Sequence, residues 1–222
     1  MNRAVAFYQS SIGKKAVMAV TGIIGVGFVI GHMLGNLQAF PMLGGKEGLN
    51  NYSEFLRQTH GLLWLARSVL LTAVLLHIVA AYQLTRMSWA GRPTDYKYWY
   101  PEGSDYASRT MRWSGPILAL FIIYHLLDLT FGPVNPDFVE GDVFHNLVVS
   151  FSYWNISLVY IVAMLALGLH MYHGAWSMFQ SLGLNNSKYD TLLKRFAILV
   201  TVFVVAGNIS IPLGVLIGII HE

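Results

Sequence analysis

AVMAVTGIIGVGFVIGHMLGNLQAF, residues 16–40, carries a single ionisable side chain, His32. A helix needs about 20 apolar residues to cross a hydrocarbon layer of ~30 Å, so this stretch predicts a membrane-crossing helix. Four further stretches read the same way: 62–84, 113–131, 155–179 and 196–220. The breaks carry turn residues, among them Pro41 with Gly44-Gly45, Gly91-Arg92-Pro93, Gly132-Pro133 and Gly183 with Asn185-Asn186. No small-residue cleavage site follows the first stretch, which is read as retained.

Composition agrees. Of 222 residues, 55% are hydrophobic and 11% charged, with a mean hydropathy of +0.52, against about 25% charged in an ordinary soluble domain. The deficit rules out a soluble enzyme as the first reading. The absence of cysteine excludes a disulfide, an iron–sulfur cluster held by this chain and a covalently attached c-type haem. Any metal falls to His, Met or carboxylate. The net charge of +3 comes from dispersed basic residues, so no nucleic-acid partner is expected. The chain reads as one all-α integral membrane domain, 1–222, with no internal repeat, low-complexity tract or second domain.

Orientation follows from Lys and Arg, which stay cytoplasmic in short loops. Arg3, Lys14, Lys15, Arg86, Arg92, Lys97, Arg109, Arg112, Lys188, Lys194 and Arg195 fall on one side, eleven of the fourteen basic residues. The opposite loops hold Lys46 and Arg57, with Arg67 inside a span, and the third is acidic through Asp137, Glu140 and Asp142. The N-terminus is expected in the cytoplasm and the C-terminus outside. Tyr96, Tyr98, Trp99, Tyr100, Tyr153 and Trp154 sit where interfacial anchors belong.

Five of eight histidines, His32, His77, His125, His170 and His173, lie within the spans, where an ionisable group is costly and points to function. Polar glue between helices is the competing reading for any one of them. With a rise of ~1.5 Å per residue, His32 is about 25 Å beyond Lys15 and His125 about 20 Å beyond Arg112, both in the outer half. His77 comes about 13 Å before Arg86 and His170 about 15 Å before Gln180, both in the inner half. Two bis-histidine sites at two depths suit two b-type haems, whose irons take one neutral imidazole on each side. Structural zinc asks for four ligands. Gly27, Gly31, Gly35, Gly168 and Gly174 leave either room for a porphyrin or close helix packing. His60, His145 and His221 are expected to face solvent.

Ile-Gly-His32-Met, His77-Ile-Val-Ala-Ala-Tyr, Ile-Tyr-His125-Leu and Leu-His170-Met-Tyr-His173-Gly-Ala-Trp-Ser resemble the dihaem cytochrome b membrane anchor of succinate dehydrogenase and fumarate reductase complexes. The likeness covers essentially the whole chain. It implies that the five spans form a haem-binding bundle, that His32 and His125 hold a distal, outer haem, and that His77 and His170 hold a proximal, inner one. His170 is preferred to His173 for its spacing to Trp176-Ser177 and Gly183; His173 is left to a propionate or a polar helix end. The resemblance further implies a flavoprotein and an iron–sulfur subunit docked on the cytoplasmic face of a bacterial inner membrane, and a quinone reduced near the distal haem. Candidates for the quinone or a propionate are Glu54, Arg57, His60, Arg67 and Asp128, with an Arg67–Asp128 pair as the plainer alternative. Some quinol-oxidising members carry Glu two positions before the fourth-span ligand, where this chain has Gly168. That departure leans toward succinate oxidation with menaquinone. Two other classes stay open: the anchor of a hydrogenase or formate dehydrogenase, and a haem-free transporter or scaffold. Transporters tend to show repeated halves and broken helices; Pro212 is read as the only deep helix breaker.

Overall fold

A computed structural model describes residues 3–91 and 106–222. The expected basic residues Arg92 and Lys97 and the expected anchors Tyr96, Tyr98, Trp99 and Tyr100 lie outside them. Among the described residues the chain forms eight α-helices: α1 (Arg3–Gln9), α2 (Ser11–Asn36), α3 (Gly45–Gln58), α4 (His60–Ala90), α5 (Tyr106–Leu129), α6 (Val143–Ser152), α7 (Trp154–Ser181) and α8 (Asp190–Leu216). Helices α2, α4, α5, α7 and α8 are long and apolar enough to cross a membrane. Their flanks expose large apolar side chains such as Leu71, Leu75, Leu120, Leu165 and Leu199, an arrangement suited to lipid and costly in water. Tyr153 and Trp154 are exposed at the start of α7, as anchors would be.

Differences from the sequence reading have local causes. The fifth span stops at Leu216 and not Ile220, because Gly218 takes φ 75° and the Ile219 and Ile220 amides turn back to the Gly214 carbonyl. Pro116 lies inside α5 as Pro212 does inside α8, so two helices carry an internal proline. The first and third breaks hold α3 and α6, too short to span and therefore passed over. The buried apolar core lies at the end of the bundle where α3, α6, the first turns of α7 and the last turns of α8 converge, around Leu49, Phe144, Leu147, Phe151, Tyr160 and Ile211.

The two short helices are clamped together. Asn50 of α3 donates to Asp142, which caps α6 by accepting from the His145 amide, and Asn50 accepts from the Phe144 amide, all at 2.9–3.0 Å. Lys46 bridges Asp142 at 3.3 Å and Glu222 at 3.6 Å, and His145 Nδ1 meets Glu222 at 2.6 Å. His145, expected in solvent, is thus a link to the chain's last residue. Burial works against the Asp142 carboxylate, but the His145 amide, Asn50 and Lys46 outweigh it and hold it below the usual range. The Glu222 contact raises His145 and lowers Glu222 itself. A raised histidine stabilises below its unfolded value and a lowered carboxylate above its own. This link is therefore complete between about pH 4.5 and 6.5, weakening as pH rises through the raised His145 value or falls through the lowered Glu222 value. Melting of the purified protein across pH should show a modest decline above that window, and His145→Gln should flatten it.

At the opposite end, Lys14 is buried and donates to the carbonyls of Tyr8 and Gln9 at 3.0 and 2.7 Å, closing the C-terminus of α1. Tyr8 reaches Gln83 of α4 at 3.2 Å, Arg112 lies over Trp89, and Lys194 over Trp176. The exposed Arg86, Arg109, Lys188 and Arg195 share this end.

Candidate functional site

Helix α2 packs along α4 and α7, α5 packs along α7, and α8 covers α7. Among the described residues α4 and α7 share no packed seam, nor do α2 and α5. Across those two diagonals the imidazoles meet. His77 of α4 faces His170 of α7 with ring centroids 6.1 Å apart, and His32 of α2 faces His125 of α5 at 5.7 Å. The two pairs are offset along the bundle by the eleven residues from Thr21 to His32, about 16 Å. His173 turns instead toward Trp176, at 6.5 Å.

Hydrogen bonds set which nitrogen of each ring is available. The Thr21 hydroxyl lies 2.8 Å from the Val17 carbonyl and 3.1 Å from that of Met18, so its one proton is given to the backbone. There its oxygen is free to accept from His77 Nδ1, 3.0 Å away, in the tautomer that keeps the lone pair on Nε2. Ser114 is placed in the same way at the other ring, 3.4 Å from the Met111 carbonyl and 3.2 Å from His170 Nδ1. At the second level Asn36 donates to His32 Nε2 at 3.0 Å. His125 Nδ1 is buried with no hydrogen-bond partner.

These pairs fit b-type haem. Two imidazoles on opposite sides of one iron, each at about 2 Å, place their ring centroids on the order of 6 Å apart. A porphyrin between them needs helices that stand off from one another, and both pairs bridge helices without a seam. Coordination by His32 Nε2 requires the Asn36 amide to swing aside. Gly27, Gly31 and Gly174 have open space where a side chain would project, whereas Gly35 receives the Tyr52 ring and Gly168 the Val205 methyl. The last two serve helix packing. A Cβ at Gly168 would lie 3.0 Å from Val205 Cγ2, so a Glu there would press on α8.

The hydrogen bonds also correct the reading that the chain has no internal repeat. Thr21 and Ser114, His32 and His125, and His77 and His170 are each 93 positions apart. The same offset aligns Met18 with Met111, Gly22 with Gly115, Ile24 with Ile117 and Phe28 with Phe121. Phe28 stacks on His32 at 5.4 Å, and Phe121 lies 5.8 Å from His125. Helices α2–α4 and α5–α7 are thus two copies of one unit running in the same sense. Each imidazole pair joins equivalent residues, as across a two-fold axis. With a repeat present, its supposed absence no longer argues against a transporter.

Symmetry breaks at the His32–His125 level. Asp128 stands where the first copy has Gly35, and Tyr160 where it has Arg67. Asp128 is fully buried and its Oδ2 accepts from Ser150 and Tyr160, both at 2.7 Å, while Oδ1 has no partner. Tyr160 in turn lies against His125, with centroids 5.9 Å apart. Arg67 does not reach Asp128; it is exposed and lies over Trp64 at 5.2 Å. Since His77 is level with Thr21, Arg67, ten residues back along α4 or about 15 Å, is level with His32. Glu54 and His60 are exposed at the same end, bonded to Gln58, and Arg57 donates to Ser53 and to the Gly141 carbonyl at 2.9 Å.

No protein-family model, curated protein or solved structure matches this chain. Among the described residues no three His, Cys, Asp or Glu side chains converge as a metal cage. Thr21, Ser114, Asn36, Ser150 and Tyr160 were not singled out from the sequence. The 93-residue offset is the signal that would have found the two hydroxyls, since it equates Thr21 with Ser114 eleven residues before each paired histidine.

Proposed function

We propose that this chain is the membrane anchor and electron-transfer subunit of a succinate:quinone oxidoreductase of the dihaem cytochrome b type. The observation that carries the reading is the meeting of four imidazoles from four helices in two pairs, 5.7 and 6.1 Å between centroids, at two levels of one bundle. His77 and His170 would hold the proximal haem and His32 and His125 the distal one. Bound there, haem would supply one-electron transfer.

In this reading the N-terminal end faces the cytoplasm of a bacterium, the C-terminus lies outside, and Arg86, Arg109, Lys188 and Arg195 attract an iron–sulfur subunit that itself carries the succinate-oxidising flavoprotein. A quinone, menaquinone in the direction of succinate oxidation, is reduced at the other end. Arg67, exposed at the level of His32, offers a cation to a quinone oxygen or a haem propionate. Glu54 and His60, exposed at the rim, supply protons. Asp128 reaches such a site only through the hydroxyls of Ser150 and Tyr160.

The test is a reduced-minus-oxidised visible spectrum and haem determination on the complex purified from its own membranes. Two b-type haems per chain are expected, with iron–sulfur and flavin subunits co-purifying from the cytoplasmic side. Absence of b-type haem, or one per chain, overturns the assignment. A hydrophilic partner on the outer side would move it to the hydrogenase or formate dehydrogenase class.

A further inference from the structure

We propose that Thr21 and Ser114 are positioning residues for the proximal haem: by accepting the Nδ1 protons of His77 and His170, they turn both Nε2 lone pairs toward the iron and lower that haem's reduction potential. The inference rests on the dihaem reading above and deepens it.

Each hydroxyl belongs to the helix packed beside its histidine, Thr21 on α2 beside α4 and Ser114 on α5 beside α7. Both are buried, both have a backbone carbonyl for their own proton, and they occupy equivalent positions in the two copies of the repeat. Ordinary polar glue between helices would not require both hydroxyls to select the same nitrogen of two rings that face each other. The other level lacks the device: His125 Nδ1 has no partner, and His32 is met on Nε2.

A ring that donates its Nδ1 proton to an acceptor gains electron density at Nε2 and binds the metal more strongly. The ferric state gains most from a more basic ligand, so the potential falls. A ring without that bond also turns more freely about the metal–nitrogen axis.

The experiment is an optical redox titration of the purified, haem-loaded complex carrying Thr21→Val, Ser114→Ala or both, with low-spin ferric EPR alongside. The proximal haem's midpoint should rise in each single variant and furthest in the double. A tenfold change in its ferric-to-ferrous ratio at fixed potential, ~59 mV for one electron, is the size expected for the double variant. The proximal EPR signal should shift, the distal haem should stay in place, and Thr21→Ser should restore the wild-type values. Should the double variant lose the proximal haem, Ser114→Ala, which removes the longer bond of 3.2 Å, carries the measurement. A proximal midpoint unmoved with both haems retained, or a shift confined to the distal haem, overturns this inference alone. A wild-type complex without b-type haem overturns the dihaem reading itself.

Discussion

On the dihaem reading proposed above, replacing His77 or His170 with alanine should remove half of the b-type haem and stop electron entry, while His173→Ala keeps both haems. Each of the two rings faces the other across the bundle, and His173 lies against Trp176. A haem left there with a single imidazole would lose a metal–ligand bond and the bridge between α4 and α7, which share no packed seam among the described residues. The remaining pair, about 16 Å away along the bundle and drawn from α2 and α5, should keep its own spectrum. Haem-to-protein ratio and difference spectra check this. Full haem content in His170→Ala with loss in His173→Ala would reverse the choice of ligand.

Asp128→Ala should destabilise the bundle by about 2–6 kcal/mol, because the buried hydroxyls of Ser150 and Tyr160 each lose their acceptor at about 1–3 kcal/mol apiece. That is a large share of an ordinary domain's 5–15 kcal/mol. The damage should concentrate at the His32–His125 level, since Tyr160 lies against His125 and Asp128 follows it by one turn of α5. Asp128→Asn, which retains an acceptor oxygen, should lose less. Thermal inactivation of the detergent-solubilised complex, followed with the distal haem spectrum, measures both. Unchanged melting with selective loss of quinone turnover would instead give Asp128 a direct part at the quinone.

The five apolar helices were legible because length and hydropathy alone decide whether a helix can cross lipid. Depth counting assigned each of the four histidines a level, and each facing pair joins histidines assigned the same level. What escaped the reading depends on partners distant in sequence. Helix α3 buries chiefly Leu49 and is held by Asn50 reaching α6 ninety-odd residues later, which no local pattern announces. Asp128 stood out as a charge at membrane depth, yet its partners Ser150 and Tyr160 are a common hydroxyl and an aromatic that resemble any others in an apolar run. The repeat was hidden because most lipid-facing positions interchange Leu, Ile, Val and Ala freely, leaving few residues to carry the likeness.

Because every facing pair takes one ring from each copy of the duplicated unit, iron capture would also act as a rivet between halves that otherwise meet mainly along α2 and α7. On the proposed reading, a newly inserted chain would then mature only as fast as porphyrin reaches it, and iron starvation would leave it loosened and more open to proteases.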